Sequence, residues 1–147
     1  MLHLIEQNLK GKKIIITGHS GFKGKWLCRI LKKLNCNVFG FSSYPIDQNL
    51  FGLSEKSDLV DKEYIGDICN YDLNYLIEDL SPDYIFHFAA QALVRESIKD
   101  PINTFKTNTL GTCLLLDSLK SYKKECNVIL ITSDKVYKNK EWIWGYR

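Results

Sequence analysis

Short apolar runs alternate along this chain with amphipathic segments, a pattern typical of an α/β protein. Five apolar runs predict strands at residues 13–17, 37–41, 63–68, 83–88 and 127–132. Helical periodicity between them predicts helices at residues 22–35, 71–80 and 101–122, and the polar stretch 42–58 is expected to be irregular. Strands joined by helices favour parallel pairing with right-handed crossovers. We therefore expect one domain over residues 1–147, a doubly wound parallel sheet with strand order 3-2-1-4-5.

Two of the predicted helices have informative faces. The first carries a single apolar stripe, which we expect to pack on the sheet. The stripe consists of Phe22, Trp26, Leu27, Ile30, Leu31 and Leu34. The long helix has Asp100 as its N-cap and Pro101 at its first position. Asn108 shares a face with Phe105 and Leu116, so it is predicted to point inward, either binding backbone at the base of a site or serving as a structural amide.

A glycine-rich turn joins the first predicted strand to the first predicted helix. Residues 17–24 read Thr-Gly-His-Ser-Gly-Phe-Lys-Gly, a G-x-x-G-x-x-G spacing. Backbone N–H groups and the positive end of a helix dipole meet at such a turn and favour a pyrophosphate. The glycines allow the tight turn, the close approach of a ligand and the close packing of the helix. The turn predicts a dinucleotide site that includes Gly18, Ser20, Gly21, Phe22, Lys23 and Gly24.

The remaining candidate site residues follow the other strands, because ligands of open α/β sheets bind beyond the carboxyl ends of the strands. They are Ser42, Asp67, Ile68, Ala89, Ala90, Gln91, Thr132, Ser133, Asp134 and Lys135, together with Asn108 on the long helix. Ser42 and Ser43 stand where an NAD site commonly presents a carboxylate to the adenine ribose. A serine there can hydrogen-bond a ribose hydroxyl or a 2′-phosphate, so this position leaves both NAD and NADP open. Asp67 has two interpretations, a contact to the adenine amino group or the N-cap of the next helix.

Ser133, Asp134 and Lys135 place a hydroxyl, a carboxylic acid and an amine at one strand end, beside the expected nicotinamide position. The triplet suits acid–base chemistry, although the same residue types also form turns. His87, by contrast, lies inside an apolar strand. We interpret it as a hydrogen-bonded core histidine.

Composition narrows the classes of function. The chain is 45% apolar and 25% charged, as expected for a soluble globular protein, and its net charge of +3 is too small to indicate nucleic-acid binding. No apolar stretch is long enough to span a membrane or to form a signal peptide, so we expect a cytoplasmic protein. The cysteines are odd in number and lack C-x-x-C spacing, which favours reduced thiols and no metal site.

Four motifs together resemble the extended short-chain dehydrogenase/reductase superfamily: residues 17–24, 87–91, 107–112 and 132–135. Within it the chain is most similar to the CDP-glucose 4,6-dehydratase family. That similarity depends on Gly-His-Ser-Gly-Phe-Lys-Gly, on the Ser-Asp-Lys triplet and on residues 141–147, Glu-Trp-Ile-Trp-Gly-Tyr-Arg. The resemblance extends over essentially the whole chain. It implies a Rossmann-like fold, NAD as cofactor and a nucleotide sugar as substrate.

The resemblance also implies a redox-neutral reaction, the dehydration of CDP-glucose to CDP-4-keto-6-deoxyglucose. In the family NAD takes a hydride from C4 of the sugar, water leaves across C5–C6, and the hydride returns to C6. By this analogy Ser133 hydrogen-bonds the C4 oxygen and Asp134 protonates the leaving hydroxyl. Lys135 occupies the position of the C5 base, which requires a neutral amine, or it stabilises the enolate electrostatically.

The chain departs from this resemblance at the catalytic Tyr-x-x-x-Lys pair. None of its eight tyrosines is followed by a lysine four residues later. We therefore expect a C-terminally truncated, cofactor-binding half that lacks the substrate lobe and is inactive alone. Family members dimerise through two helices, and only the predicted helix 101–122 is present, so homodimerisation is expected to be weakened. The alternatives are a non-catalytic dinucleotide sensor and a fragment of a related epimerase or reductase.

Overall fold

The computed structural model describes residues 2–46, 59–133 and 137–145. Its strands are β1 (Lys13–Thr17), β2 (Asn37–Ser42), β3 (Lys62–Ile65), β4 (Tyr84–His87) and β5 (Asn127–Leu130). Its α-helices are α1 (Leu2–Leu9), α2 (Phe22–Lys33), α3 (Leu73–Leu80), α4 (Val94–Lys99), α5 (Pro101–Phe105) and α6 (Gly111–Ser118). A π-helical segment, Lys106–Leu110, joins α5 to α6. None of the helices within these ranges is both long and apolar enough to cross a membrane.

The described strands form one parallel sheet in the order β3-β2-β1-β4-β5. β1 is central and pairs with β2 on one side and with β4 on the other. The order reverses between β1 and β4, so a crevice opens there at the carboxyl edge of the sheet. The expected doubly wound, Rossmann-like fold and its strand order are confirmed.

Successive side chains of the strands enter two different cores, as the period of two requires. Ile14, Ile16 and Val38 pack on one face with Cys28 and Leu31 of α2. The opposite face buries the intervening strand residues against α3 and α6. That second core contains Ile15, Phe41, Ile85, Leu73, Leu76, Ile77, Leu80 and Leu115. Both faces of the central strands are therefore covered, which explains their unbroken apolar sequence.

The predicted apolar stripe of the first helix is wrong in part. Leu31 is buried, but Phe22 is 75% exposed, and Trp26 and Ile30 are about half exposed. The face that packs on the sheet includes Gly24 and Cys28 instead. A small residue at position 24 brings the start of α2 against the backbone of the glycine turn, and this contact rotates the bulky side chains away from the sheet.

The predicted helix over residues 101–122 is interrupted and ends early, at Ser118. Asp100 is the N-cap of α5, as expected, because its side chain accepts a hydrogen bond from the Asn103 N–H. The inward face predicted for Asn108 is wrong, since Phe105 is 71% exposed and Asn108 is exposed as well. The wider π-helical turn changes the angular spacing on which the prediction depended.

The other differences concern short elements and their ends. Helices α1 and α4, of eight and six residues, were not predicted from the sequence. β3 and β5 end at Ile65 and Leu130, two or three residues before the predicted ends. Asp67 and Thr132 consequently lie in the loops that follow these strands, at the carboxyl edge of the sheet.

Candidate functional site

The described residues form two clefts at the carboxyl edge of the sheet, on either side of the loop that follows β4. The first has a volume of about 350 Å³ and lies between the glycine turn and the ends of β2 and β3. The second, of about 810 Å³, lies between the ends of β4 and β5 and the helices α4 to α6. Ala89 and Ala90 line both clefts, so the two form neighbouring parts of one crevice.

The glycine turn fits tightly between β1, α2 and the end of β4. Gly18 has a φ of +70°, a left-handed conformation, and a Cβ added there would lie 2.7 Å from the Ala89 nitrogen. A Cβ on Gly24 would overlap the Gly18 carbonyl oxygen and lie 2.7 Å from the His19 Cα. Both positions need glycine because backbone, which cannot rotate away, occupies the space of a side chain.

Gly21 begins helix α2 as its N-cap, and no side chain caps that end of the helix. Gly21 also lines the first cleft, so the N-terminus of α2 opens onto it. The first N–H groups of a helix and its dipole together attract anions. This end of the cleft is therefore suited to a phosphate or diphosphate.

The hydroxyls of Ser20 and Ser42 hydrogen-bond one another inside the protein. The two Oγ atoms are 2.7 Å apart, and Ser42 Oγ donates to the Tyr44 carbonyl oxygen, also at 2.7 Å. Since Ser42 uses its proton on Tyr44, Ser20 is the donor to Ser42. Ser20 and Ser42 are both buried and line the first cleft. Ser43, the residue after Ser42, is exposed.

Asp67 lines the first cleft at the end of β3. One carboxylate oxygen accepts from the Cys69 N–H at 2.9 Å, and the other lies 3.7 Å from the Lys106 Nζ. The alternative role of Asp67 as a helix N-cap is wrong, because Asp72 caps α3 by accepting from the Tyr75 N–H. Ile68, which is buried beside Asp67, also lines this cleft.

Gln91 and Asn108 are locked together at the second cleft. The Gln91 N–H donates to Asn108 Oδ1 at 2.7 Å, and Asn108 Nδ2 donates to the Gln91 carbonyl at 3.0 Å. The Gln91 side chain donates to Thr104 Oγ1 and accepts from the Leu93 N–H. Asn108 thus hydrogen-bonds backbone at the base of the crevice, although it reaches that backbone from an exposed position on the π-helical segment.

A chain of hydroxyls surrounds His87 at the end of β4. Thr17 Oγ1 lies 2.7 Å from His87 Nδ1, and Thr112 Oγ1 lies 2.9 Å from Nε2. Thr112 donates its proton to the Asn108 carbonyl, so it must accept from Nε2–H, and Thr17 donates to Nδ1 while accepting from the Ala89 N–H. This arrangement holds the neutral imidazole, and burial lowers the pKa of His87. The core-histidine interpretation is confirmed.

The environment of His87 predicts a pH dependence of stability. In the unfolded chain the His87 imidazole takes up a proton at its ordinary pKa of 6.5, whereas in the folded chain its pKa is lower. The contribution of His87 to the free energy of unfolding is therefore complete above pH 6.5 and is lost as the pH falls below 6.5. We expect the free energy of unfolding in urea to fall by up to about 1.4 kcal/mol per pH unit below 6.5 from this group. In His87→Gln this part of the slope should be missing, and an unchanged slope would contradict the assignment.

The structure places most of the sequence-predicted residues at the two clefts. Gly18, Ser20, Gly21, Ser42, Asp67, Ile68, Ala89 and Ala90 line the first cleft, and Gln91, Asn108, Thr132 and Ser133 line the second. Phe22 and Lys23 are exposed and line neither cleft, and Gly24 lies behind the turn. Asp134 and Lys135 lie outside the described residues.

Sequence reasoning missed several residues that build these clefts. His19 and Glu63 form a buried pair behind the turn, and Tyr44 lines the first cleft. Thr112 completes the environment of His87, and Thr104 that of Gln91. The one sequence signal for His19 was its place inside the glycine motif, and no local pattern pairs it with a carboxylate 44 positions later.

Comparison with known proteins decides the family. The model of the NAD dependent epimerase/dehydratase family matches residues 14–143. The chain belongs to the NAD-dependent epimerase/dehydratase family. This membership confirms the resemblance found in the sequence, and the two clefts described above are those of a family member.

Among its relatives in this family is the CDP-glucose 4,6-dehydratase of Salmonella typhimurium, 42% identical over 98% of this chain. The CDP-paratose 2-epimerase of Salmonella typhi is 33% identical over 85% of the chain. The chain spans 41% and 38% of the lengths of these two proteins. Family members of both reaction types are therefore similar to it.

Solved structures of epimerases share the fold of this family member. A UDP-glucose-4-epimerase from Stenotrophomonas maltophila, with bound NAD and formylated UDP-arabinopyranose, matches 90% of the chain with a TM-score of 0.76 at 23% identity, and the chain spans 40% of it. The UDP-glucose 4-epimerase of Brucella ovis in complex with NAD matches 82% of the chain with a TM-score of 0.66 at 26% identity, and the chain spans 35% of it.

The residues present fit a dinucleotide. The glycine turn leaves no space for side chains on Gly18 or Gly24, and the uncapped N-terminus of α2 opens onto the first cleft at Gly21. A second cleft continues past Ala89 and Ala90 toward Ser133. If the diphosphate of a dinucleotide lay at the turn, its two nucleosides could occupy one cleft each.

Proposed function

We propose that the chain binds NAD with its diphosphate at the glycine turn, its adenosine in the first cleft and its nicotinamide toward the second. The observation that carries this proposal is the contact of the Gly18 and Gly24 positions with surrounding backbone. The contact holds the turn against the end of β4 and the start of α2, where backbone N–H groups suit a diphosphate. Residues Gly18, Ser20, Gly21, Ser42, Asp67, Ile68, Ala89 and Ala90 would surround the adenosine and diphosphate.

NAD is favoured over NADP by the charge of the first cleft. Among the described residues that line it, the only charged side chain is Asp67, and that carboxylate is 3.7 Å from Lys106. Ser43 and Tyr44, beside the expected ribose position, supply polar atoms and no positive charge. A 2′-phosphate would enter this cleft without a cationic partner from its described lining, whereas a ribose hydroxyl needs only hydrogen-bond partners.

The reaction that we propose is the 4,6-dehydration of a nucleotide sugar, with CDP-glucose as substrate. Its support is the 42% identity to a CDP-glucose 4,6-dehydratase and the Ser-Asp-Lys triplet of residues 133–135 in the sequence. The chemistry that bound NAD would supply is the acceptance of a hydride and its return within the same turnover. Ser133, which lines the second cleft, would hold the C4 oxygen of the sugar.

Asp134 and Lys135 complete the proposed chemistry at C5 and C6. Asp134 would donate a proton to the leaving C6 hydroxyl. Lys135 would take the C5 proton as a neutral amine or stabilise the enolate as a cation. The Tyr-x-x-x-Lys pair that the family resemblance implies is missing from these 147 residues, so we expect cofactor binding without turnover from the chain on its own.

Self-association is part of the same proposal. Helices α4 and α5 expose a group of large apolar side chains, including Val94, Ile98, Ile102 and Phe105, each more than 70% exposed. Exposed apolar side chains grouped in this way are typical of interaction surfaces. Dimerisation along this surface would cover them.

The test is a titration of the purified chain with NAD, in which binding is measured by differential scanning fluorimetry and by calorimetry. We expect saturable binding and, at 100 times the dissociation constant, a stabilisation of about 2.7 kcal/mol. Incubation with NAD and CDP-glucose should give no 4-keto sugar, detected by its absorbance in alkali. Absence of NAD binding by folded protein would contradict the proposed function, and rapid product formation would contradict the expected inactivity. A downstream reading frame that encodes the Tyr-x-x-x-Lys pair would favour the dehydratase half, and an unrelated downstream gene would favour the sensor.

A further inference from the structure

His19 and Glu63 form a buried hydrogen-bonded pair behind the glycine turn. His19 Nε2 lies 2.8 Å from Glu63 Oε1, and the His19 side chain is fully buried while that of Glu63 is 13% exposed. His19 belongs to the turn between β1 and α2, whereas Glu63 lies on β3, two strands away. The pair therefore connects the turn with the edge of the sheet next to the first cleft.

The protein makes space for this imidazole at Gly40 on β2. A Cβ on Gly40 would overlap the His19 ring and lie 2.7 Å from its Nε2 atom. Nδ1 of the same ring has no hydrogen-bond partner among the described residues. A buried polar atom without a hydrogen-bond partner costs free energy, whether it donates or accepts. Among the described residues, the His19 ring is therefore held by one hydrogen bond, to Glu63, and by its close packing over Gly40.

Glu63 also holds the segment that follows β2. The same Oε1 atom that contacts His19 accepts a hydrogen bond from the Ile46 N–H at 2.6 Å. Residues 43–46 form a short arm that carries Ser43 and Tyr44 along the side of the first cleft. A second connection reaches the arm from Ser42, whose hydroxyl donates to the Tyr44 carbonyl. One carboxylate oxygen thus fixes both the turn and the far end of the arm.

We propose that Glu63 is a positioning residue that sets the arm 43–46 at the distance from the glycine turn required by the adenosine half of the cofactor. This inference rests on the proposed binding of NAD. Glu63 does not line the first cleft, so it acts through the turn and the arm. Binding is tighter when the contacting groups are already in place, because less ordering accompanies association.

The experiment compares Glu63→Ala with Glu63→Gln by calorimetry at a temperature where circular dichroism shows that each variant is folded. Alanine removes the acceptor for both His19 and Ile46, whereas the glutamine amide oxygen can still accept both bonds. We expect the dissociation constants of NAD and of ADP-ribose to rise about tenfold in Glu63→Ala and by less than about threefold in Glu63→Gln. Glu96→Gln, at an exposed ion pair on α4, is the matched control and should bind as the unchanged chain does.

A purely structural role predicts a different result, a lower melting temperature of Glu63→Ala with unchanged affinity in the folded protein. That result would overturn the inference while leaving NAD binding by the unchanged chain intact. No NAD binding by the unchanged chain would overturn both. Amide exchange of Ile46 in the unchanged chain is a second measurement that needs no variant. We expect protection that increases when NAD is added, and rapid exchange with and without NAD would also overturn the inference.

Discussion

Replacing Gly24 with alanine is expected to lower the free energy of unfolding by about 3 kcal/mol and to abolish measurable NAD binding. The added Cβ would overlap the carbonyl oxygen of Gly18 and lie 2.8 Å from that of His19. Both neighbours are backbone atoms, so relief requires the start of α2 to move away from the turn. The same movement would separate the N-terminus of the helix from the expected diphosphate, and stability and binding should be lost together.

The chain offers matched controls for this prediction. At Gly145 no atom of the described residues lies within 4 Å of an added Cβ, and φ is not in the left-handed region, so Gly145→Ala should change neither property. Gly11 has open space but a φ of +72°, so Gly11→Ala isolates the conformational cost, about 1 kcal/mol. Urea unfolding followed by circular dichroism, together with calorimetry, measures both effects. If the free energies of unfolding of Gly24→Ala and Gly145→Ala differed by less than about 1 kcal/mol, the turn would be able to adapt to a side chain, and our account would be contradicted.

The sheet was predictable because its determinants are local. Each central strand is an unbroken apolar run bounded by turn residues, and helical segments between such runs leave parallel pairing as the favoured topology. The packing face of α2 was not predictable in the same way. Phe22, Trp26 and Ile30 are spaced like a core stripe, but Gly24 determines which face approaches the sheet. Apolar periodicity does not distinguish a core face from an exposed apolar face.

Residues of the candidate site were predictable where they lie at the end of a strand or within three residues after it, as Ser42, Ala89 and Ser133 do. The π-helical segment was not predictable from the sequence, because an extra residue in a helical turn leaves no local sequence signal. The pair of His19 and Glu63 depends on a contact across three strands that only the folded sheet creates. A ribose contact was one of two interpretations of the serines at the end of β2, and the structure adds that Ser42 donates its hydroxyl proton to the Tyr44 carbonyl.

Cofactor discrimination is the second large effect that we expect, with NADP binding about 100-fold more weakly than NAD, equivalent to about 2.7 kcal/mol. A 2′-phosphate carries between one and two negative charges near neutral pH and must lose water to enter the first cleft. The described lining of that cleft includes Asp67 and no lysine or arginine, so nothing in it compensates for this desolvation. Competition calorimetry with the two coenzymes on the unchanged chain measures the ratio.

Ser43→Arg should reduce this discrimination, because Ser43 lines the first cleft from the exposed end of β2. A guanidinium there can form paired hydrogen bonds to a phosphate, and we expect NADP affinity to rise about tenfold while NAD affinity changes by less than about threefold. Ser43→Gln is the control for side-chain length without charge, and it should leave the ratio unchanged. Equal affinities of the unchanged chain for NAD and NADP would contradict the charge argument. An unchanged ratio in folded Ser43→Arg would instead locate the ribose away from residue 43.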